Sequence, residues 1–391
     1  MEKNTQPKVG KKVKFAKKNN DINSWKYAVW LSSEFNCGIY FPNIYYSNSS
    51  TKKYQVENKI LFPILGYNLK NNFEELFTSR KDFIGFPNQL FIQPETSEKF
   101  NPLDFTGKTN KLVKLKARTT KKQYIEKVNA LKQHIKRGDI YEINYCIEFF
   151  AEEVVINPME VFCKLYQKTK APFSCFVKCN DSYLMCASPE RFLKKENSKL
   201  ISQPIKGTIK RGENLEEDLL LKNSLLHNLK EQSENAMIVD LVRNDLSRLA
   251  KKASVNVEEL FGIYTFEALH QMISTISCEL KENTNFDDIL KATFPMGSMT
   301  GAPKIRAMQL IEQYEDINRG LYSGSVGCIL PNGNFDVNVV IRSIQYNAAN
   351  QYLSVMVGSA ITDMCNAEDE YNECLLKAEA LLNTLNAELV C

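Results

Sequence analysis

The 391-residue chain is poor in histidine, with only His134, His227 and His270, and none of its eleven cysteines forms a CxxC pair. A Cys/His zinc site and a disulfide framework are both excluded on that ground, and a reducing, cytoplasmic compartment is the expectation. No run approaches the roughly 18 to 20 apolar residues that span a bilayer, and no apolar segment follows the N-terminal lysines, so no membrane role is expected. A GxxxxGK[ST] phosphate loop is also missing: Lys304 is followed by Ile305. Excess charge is small at +4, and much of it lies in residues 1–18, where seven lysines face the single acid Glu2. That segment reads as a basic disordered tail, and a nearly neutral body gives nucleic acid nothing else to bind.

What remains is the composition of a globular chain, 43% hydrophobic and 25% charged, long enough for a sizeable core. Residues 19–110 carry aromatic and β-branched fragments at Trp25–Ser32, Gly38–Tyr46 and Lys59–Tyr67 between Asn, Ser and Pro clusters, the pattern of strands with long turns. A Pro, Gly and Lys-rich connector at 101–118 marks the candidate boundary with the region 111–391. There Thr119 or Thr120 caps a helix with the stripe Tyr124, Val128, Leu131 and Ile135, stopped by Gly138. A strand over Ile140–Phe150, a helix opened by Pro158, and a hairpin turning at Asn180 and Asp181 follow. Further on come a strand over Met272–Leu280, a helix over Lys304–Tyr314, and a meander that includes one long strand, Phe335–Tyr346. Strands and helices mix without a βαβ rhythm, which predicts an α+β fold.

Two acidic turns stand out. Glu231 and Glu234, three residues apart, share a face at the start of a helix whose apolar positions include Ile238, Leu241 and Val242. Glu370 and Glu373, with Lys377 one turn on, repeat the pattern in the last helix. Four carboxylates brought together repel unless a hard cation lies between them, and an all-oxygen donor set selects Mg²⁺; two solvated helices that each carry ExxE are the alternative. The loop around Gly297 and Gly301, running into the helix at Lys304, suits an anion at a helix N-terminus. Arg342 within its strand would need an anion if buried. Lys206, before Gly207 in PIKGT, is a candidate nucleophile if desolvation lowers its pKa, with Glu190 of SPERF as acid partner.

Read together, GDIYEIN (138–144), SPERF (188–192), PIKGT (204–208), SENAMIVDLVRNDLSR (233–248), FPMGSMTGAPKIRAMQLI (294–311), RGLYSGSVG (319–327), VVIRS (339–343) and VGSAITDMCNAEDEYNE (357–373) resemble, in order, the motifs of the chorismate-utilising enzymes. The resemblance runs from about residue 120 to the end and is nearest to the aminodeoxychorismate branch. It implies two large antiparallel sheets packed at a steep angle with helices outside. It also implies Mg²⁺ held directly by Glu234 and Glu373, and through water by Glu231 and Glu370. Chorismate would be bound by Lys377 and the amides near Gly358 at its ring carboxylate and by Arg342 and Tyr322 at its enolpyruvyl carboxylate, with Thr208 and Thr300 lining the pocket. In this branch Lys206 resembles the nucleophile that adds to the ring, and Glu190 the acid that protonates the departing hydroxyl. Ammonia would come from a glutamine amidotransferase subunit, and a separate aminodeoxychorismate lyase would act on the product, 4-amino-4-deoxychorismate, on the way to para-aminobenzoate and folate. Anthranilate synthase component I, isochorismate or salicylate synthase, and a catalytically silent regulatory relative are the rival readings. Two positions depart from the family pattern: Glu142 stands where aminating members usually have Gln, and Gln271 where many relatives have His.

Overall fold

The computed structural model describes residues 25–32, 34–35, 43–48, 50–51, 59–107, 111–267 and 269–390. The basic tail at 1–18 and most of the expected strand at Gly38–Tyr46 lie outside them. Seven α-helices occur among the described residues: α1 (Lys121–Lys136), α2 (Pro158–Thr169), α3 (Leu215–Leu226), α4 (Leu229–Ser247), α5 (Phe286–Thr293), α6 (Lys304–Tyr314) and α7 (Ala367–Leu385). The expected starts hold for local reasons. Thr120 closes a capping box with Gln123, Asn157 caps α2 ahead of Pro158, and Gly138 ends α1's turn at φ +79°.

The strands form two sheets. In the first, eleven-stranded sheet the central run is Val113–Ala117, Glu142–Ala151, Tyr352–Ile361, Ser343–Asn347, Ser182–Ser188, Phe173–Cys179 and Tyr27–Leu31. In the second, of ten strands, Ile205–Lys210 pairs with Leu269–Glu279, which continues through Lys199–Gln203, Arg191–Glu196, Phe335–Asn338 and Ser325–Ile329 to Phe62–Leu65. The pairing is antiparallel except where Ala387–Val390, a strand not expected from the sequence, runs parallel to Val113–Ala117. N-terminal strands enter both sheets, so the connector at 101–118 does not separate two cores.

Strand alternation decides what faces what. On Glu142–Ala151, Ile143, Tyr145, Ile147 and Phe149 pack outward with α1, α2 and α7, which leaves Glu142, Asn144 and Cys146 on the side of the second sheet. Tyr352–Ile361 behaves likewise: Val355, Val357 and Ile361 join the helices, and Met356 joins the inter-sheet cluster with Ile238, Val239, Val242 and Leu246 of α4. The expected single strand Phe335–Tyr346 is two strands. Phe335–Asn338 belongs to the second sheet and Ser343–Asn347 to the first, and Arg342 sits between them at φ +50°. The chain changes sheets there, so the alternation read across the whole segment does not apply. The helix α3 was also not expected; its Leu215, Leu219 and Leu220 are exposed and give no apolar stripe.

Among the described residues eight cysteines are free and buried; Cys328 is disulfide-bonded, so the lack of CxxC pairs rules out a framework but not every disulfide. No helix among them is long and apolar enough to cross a membrane.

Candidate functional site

A cavity of about 630 Å³ opens where the ends of the two sheets meet α4 and α7. Glu231 and Glu234 reach it from the first turns of α4, whose Asn228 cap accepts from the Glu231 amide at 3.2 Å. Glu370, Glu373 and Lys377 reach it from α7, capped by Asn366. Glu190, Lys206, Thr208, Tyr322, Arg342 and Gly358 complete the expected set, so eleven of the twelve candidate residues line one space. Thr300 is the exception: it is fully buried, and its hydroxyl donates to the carbonyls of Met296 and Gly297 in its own loop. The start of α6 does not line the cavity either. Lys304 there donates to Asp245 and to the Thr293 carbonyl, in place of the anion expected at that helix end.

The two acidic turns meet through a cation. Lys230 Nζ lies 3.2 Å from Glu370 and 3.8 Å from Glu234, joining α4 to α7. Lys377 Nζ lies 2.5 Å from Glu373 and donates to the Gly358 carbonyl at 2.9 Å, which holds Glu373 below the usual carboxylate range. Burial raises the pKa of Glu231 and Glu370 and pushes Glu234 up to about 7. As the side chains lie, lysines balance these acids, and among the described residues no three His, Cys, Asp or Glu stand together closely enough to hold a metal ion. The donor set nevertheless fits a hard divalent cation: all its ligands are carboxylate oxygens, and the buried Oε1 of Glu234 has no hydrogen-bond partner.

Glu190 is buried beside them, accepts from Ser298 Oγ at 2.8 Å, and is pushed up to about 7 by desolvation. A carboxyl group in that state holds its proton near neutrality, as a general acid must. Lys206 departs from its expectation. Burial alone would lower its pKa, but Glu142 Oε1 at 2.5 Å and Glu234 Oε2 at 3.8 Å outweigh the desolvation and raise it. Its resting form is therefore an ammonium. Gly207 follows at φ +91°, where a Cβ would come within 3.2 Å of Glu231. Arg342 is desolvated enough to lower its pKa and donates weakly to the Lys377 carbonyl at 3.3 Å. Beside it, the Tyr322 hydroxyl is held well above its ordinary pKa by burial.

Several cavity residues had no assignment from sequence. Lys230 precedes Glu231 and lies four before Glu234, a helical spacing that was there to read. Ser298 lies in the FPMGSMTGAPK loop, and only the fold turns its hydroxyl onto Glu190. Gln271 lines the cavity with its Oε1 unpartnered. His270 points elsewhere, bonded to Asp218 and Thr265. Beneath the cavity Arg319 donates to Glu315 and to the carbonyls of Met299 and Asn144, fixing two lining residues.

The family model described as chorismate binding enzyme matches residues 14–383. The aminodeoxychorismate synthase component 1 of Escherichia coli is 36% identical over 74% of this chain and 62% of its own length. For the chloroplastic aminodeoxychorismate synthase of Arabidopsis thaliana the figures are 39%, 68% and 29%. The match thus spans less than two thirds of either relative. Anthranilate synthase component I from Streptococcus pneumoniae superposes with a TM-score of 0.75, at 23% identity, over 91% of this chain and 89% of that one, so the α+β architecture is that fold. Motif order, cavity lining and these matches agree: the chain belongs to the chorismate-binding enzymes.

Proposed function

We propose that this chain converts chorismate and ammonia to 4-amino-4-deoxychorismate through a covalent bond to Lys206. The observation that carries the reading is that the Lys206 amine and the proton-holding Glu190 face one cavity whose rim supplies both acids for a cation and bases for carboxylates. Arg342 and Tyr322 hold the enolpyruvyl carboxylate, and Lys377 with the backbone near Gly358 the ring carboxylate. Glu234, Glu373, Glu231 and Glu370 would hold Mg²⁺, which would supply a positive charge against the ring carboxylate.

Lys206 gives its proton to solvent in the open cavity before it acts, and solvent returns one to Glu190 after turnover. Nζ bonds to ring C2, both conjugated ring double bonds shift by one position toward C4, and the C4–O bond breaks while Glu190 gives its proton to the oxygen, so that water leaves. Ammonia then bonds to C4, both double bonds shift back, the C2–Nζ bond breaks, and the proton shed by the incoming nitrogen goes to Nζ. Two displacements with acid assistance replace the expulsion of hydroxide. The ammonia comes from a glutamine amidotransferase subunit, the product passes to a separate lyase that removes pyruvate, and all three act in the cytoplasm.

Incubation with chorismate, Mg²⁺ and ammonium is expected to yield 4-amino-4-deoxychorismate without pyruvate, identified by mass spectrometry. Anthranilate, isochorismate or salicylate as product would overturn the assignment. Lys206→Ala should abolish turnover; a normal rate in that variant would eliminate the covalent step.

A further inference from the structure

Glu142 belongs to none of the roles above, yet it is the nearest group to Lys206. It is 1% exposed on the strand Glu142–Ala151, held by the pairing of its own segment with Gly301–Ala302 and by the Tyr141 amide, which donates to the Ala302 carbonyl at 2.7 Å. Its Oε1 accepts from Lys206 Nζ at 2.5 Å, and its Oε2 is buried with no hydrogen-bond partner. The same amine lies 3.8 Å from Glu234 Oε2. One ammonium thus stands between two buried carboxylates, bonded to the first and only near the second. A charge-assisted bond at the shorter distance is the stronger attraction, and in a desolvated pocket the difference is large.

We propose that Glu142 is a positioning residue that holds the Lys206 ammonium by a hydrogen bond, 3.8 Å from Glu234 and not bonded to it, which keeps Glu234 available to the divalent cation. Without the charge at 142, Lys206 turns to Glu234 and occupies the place of the metal. The nucleophile and the metal ligand are thereby kept apart by a second carboxylate, carried on the sheet opposite that of Lys206. This inference rests on the metal role given to Glu234 above.

The test uses the full chain and Mn²⁺ as the probe, with free Mn²⁺ counted by electron paramagnetic resonance. Glu142→Gln is expected to bind Mn²⁺ about tenfold more weakly than the wild type, the size of loss typical when a group behind a metal ligand is removed. Glu142→Asp, which keeps the charge, is expected to bind within about twofold of wild type on the same ground. In a Lys206→Met background, adding Glu142→Gln should change nothing. Wild-type binding by Glu142→Gln overturns the proposal, as does an equal weakening in the Lys206→Met background, which would mean that Glu142 acts by its own charge. A wild type that binds no Mn²⁺ removes the metal role itself. Failure of the product assay with Mn²⁺ binding intact removes the reaction and leaves this inference standing.

Discussion

Glu190 shows how a single side chain is set by its surroundings. Its desolvation outweighs the Ser298 hydroxyl, the Lys206 charge and the Ile205 amide, all of which favour the anion, so the proton stays on until about pH 7. If that proton is spent on the leaving hydroxyl, turnover should fall as pH rises through about 7, and Glu190→Gln should lose roughly 10² to 10⁴-fold in kcat, as expected for removal of a general acid. A flat pH–rate profile in the wild type would deny it that role. The same raised pKa has a consequence for stability, with a definite sign. The folded state binds this proton more tightly than the unfolded chain, so the contribution is complete below the unfolded carboxyl's pKa of roughly 4.5 and is lost as pH rises through 7. The loss is about 3 kcal/mol for a shift of that size. Thermal unfolding of Glu190→Gln between pH 5 and 8 should show a smaller decline than the wild type.

At the scale of elements, α4 and α7 bring their first turns to one place. Ile238, Val239, Val242 and Leu246 seat α4 in the inter-sheet cluster, while Cys374, Ala378, Leu381 and Leu385 seat α7 on the outer face of the first sheet. The acidic turns therefore converge only because the helices pack on different layers and both begin at the cavity. The Asn228 cap fixes the first turn of α4 at the Glu231 amide, so Asn228→Ala should cost about 1 kcal/mol of stability, measured by urea unfolding. Metal affinity should fall with it, since Glu231 stands in the turn that frays. Unchanged metal affinity at reduced stability would show that the cap does not order the acidic face. Helices with caps and clean stripes, such as α1 and α2, were legible from their residues. The break at Arg342 was not, because Phe335–Tyr346 alternates as one strand would, and nothing local announces a change of sheet.

On the scale of the molecule, the Glu315–Arg319 pair is a fully buried ion pair outside the cavity. Both side chains are 1% exposed, and the ions lie 2.6 Å apart. Arg319 also bonds to Asn144 and Met299, and Glu315 accepts from the Cys146 amide at 2.8 Å. One ion pair thus ties the first sheet to the loop that carries Ser298. Removing one member leaves the other buried and uncompensated, so Glu315→Ala should cost about 3 to 5 kcal/mol by chemical denaturation. Substrate binding should weaken with it. Stability within 1 kcal/mol of wild type, on the order of a surface pair's worth, would mean that the pair is dispensable.

Composition and periodicity alone determined the α+β class and most helix boundaries and marked the two acidic turns as candidates, because caps, stripes and carboxylate spacing are local properties of the chain. The order of the motifs, set against the family pattern, named twelve residues, of which eleven line the cavity. Only the tertiary structure decided that Lys206 rests as an ammonium, that Thr300 turns into its own loop, and that Lys230, Ser298 and Glu142 belong beside the candidate site. Those outcomes depend on distances between residues far apart in sequence. Electrostatic interaction and desolvation follow the folded separation of charges, which their spacing along the chain does not contain.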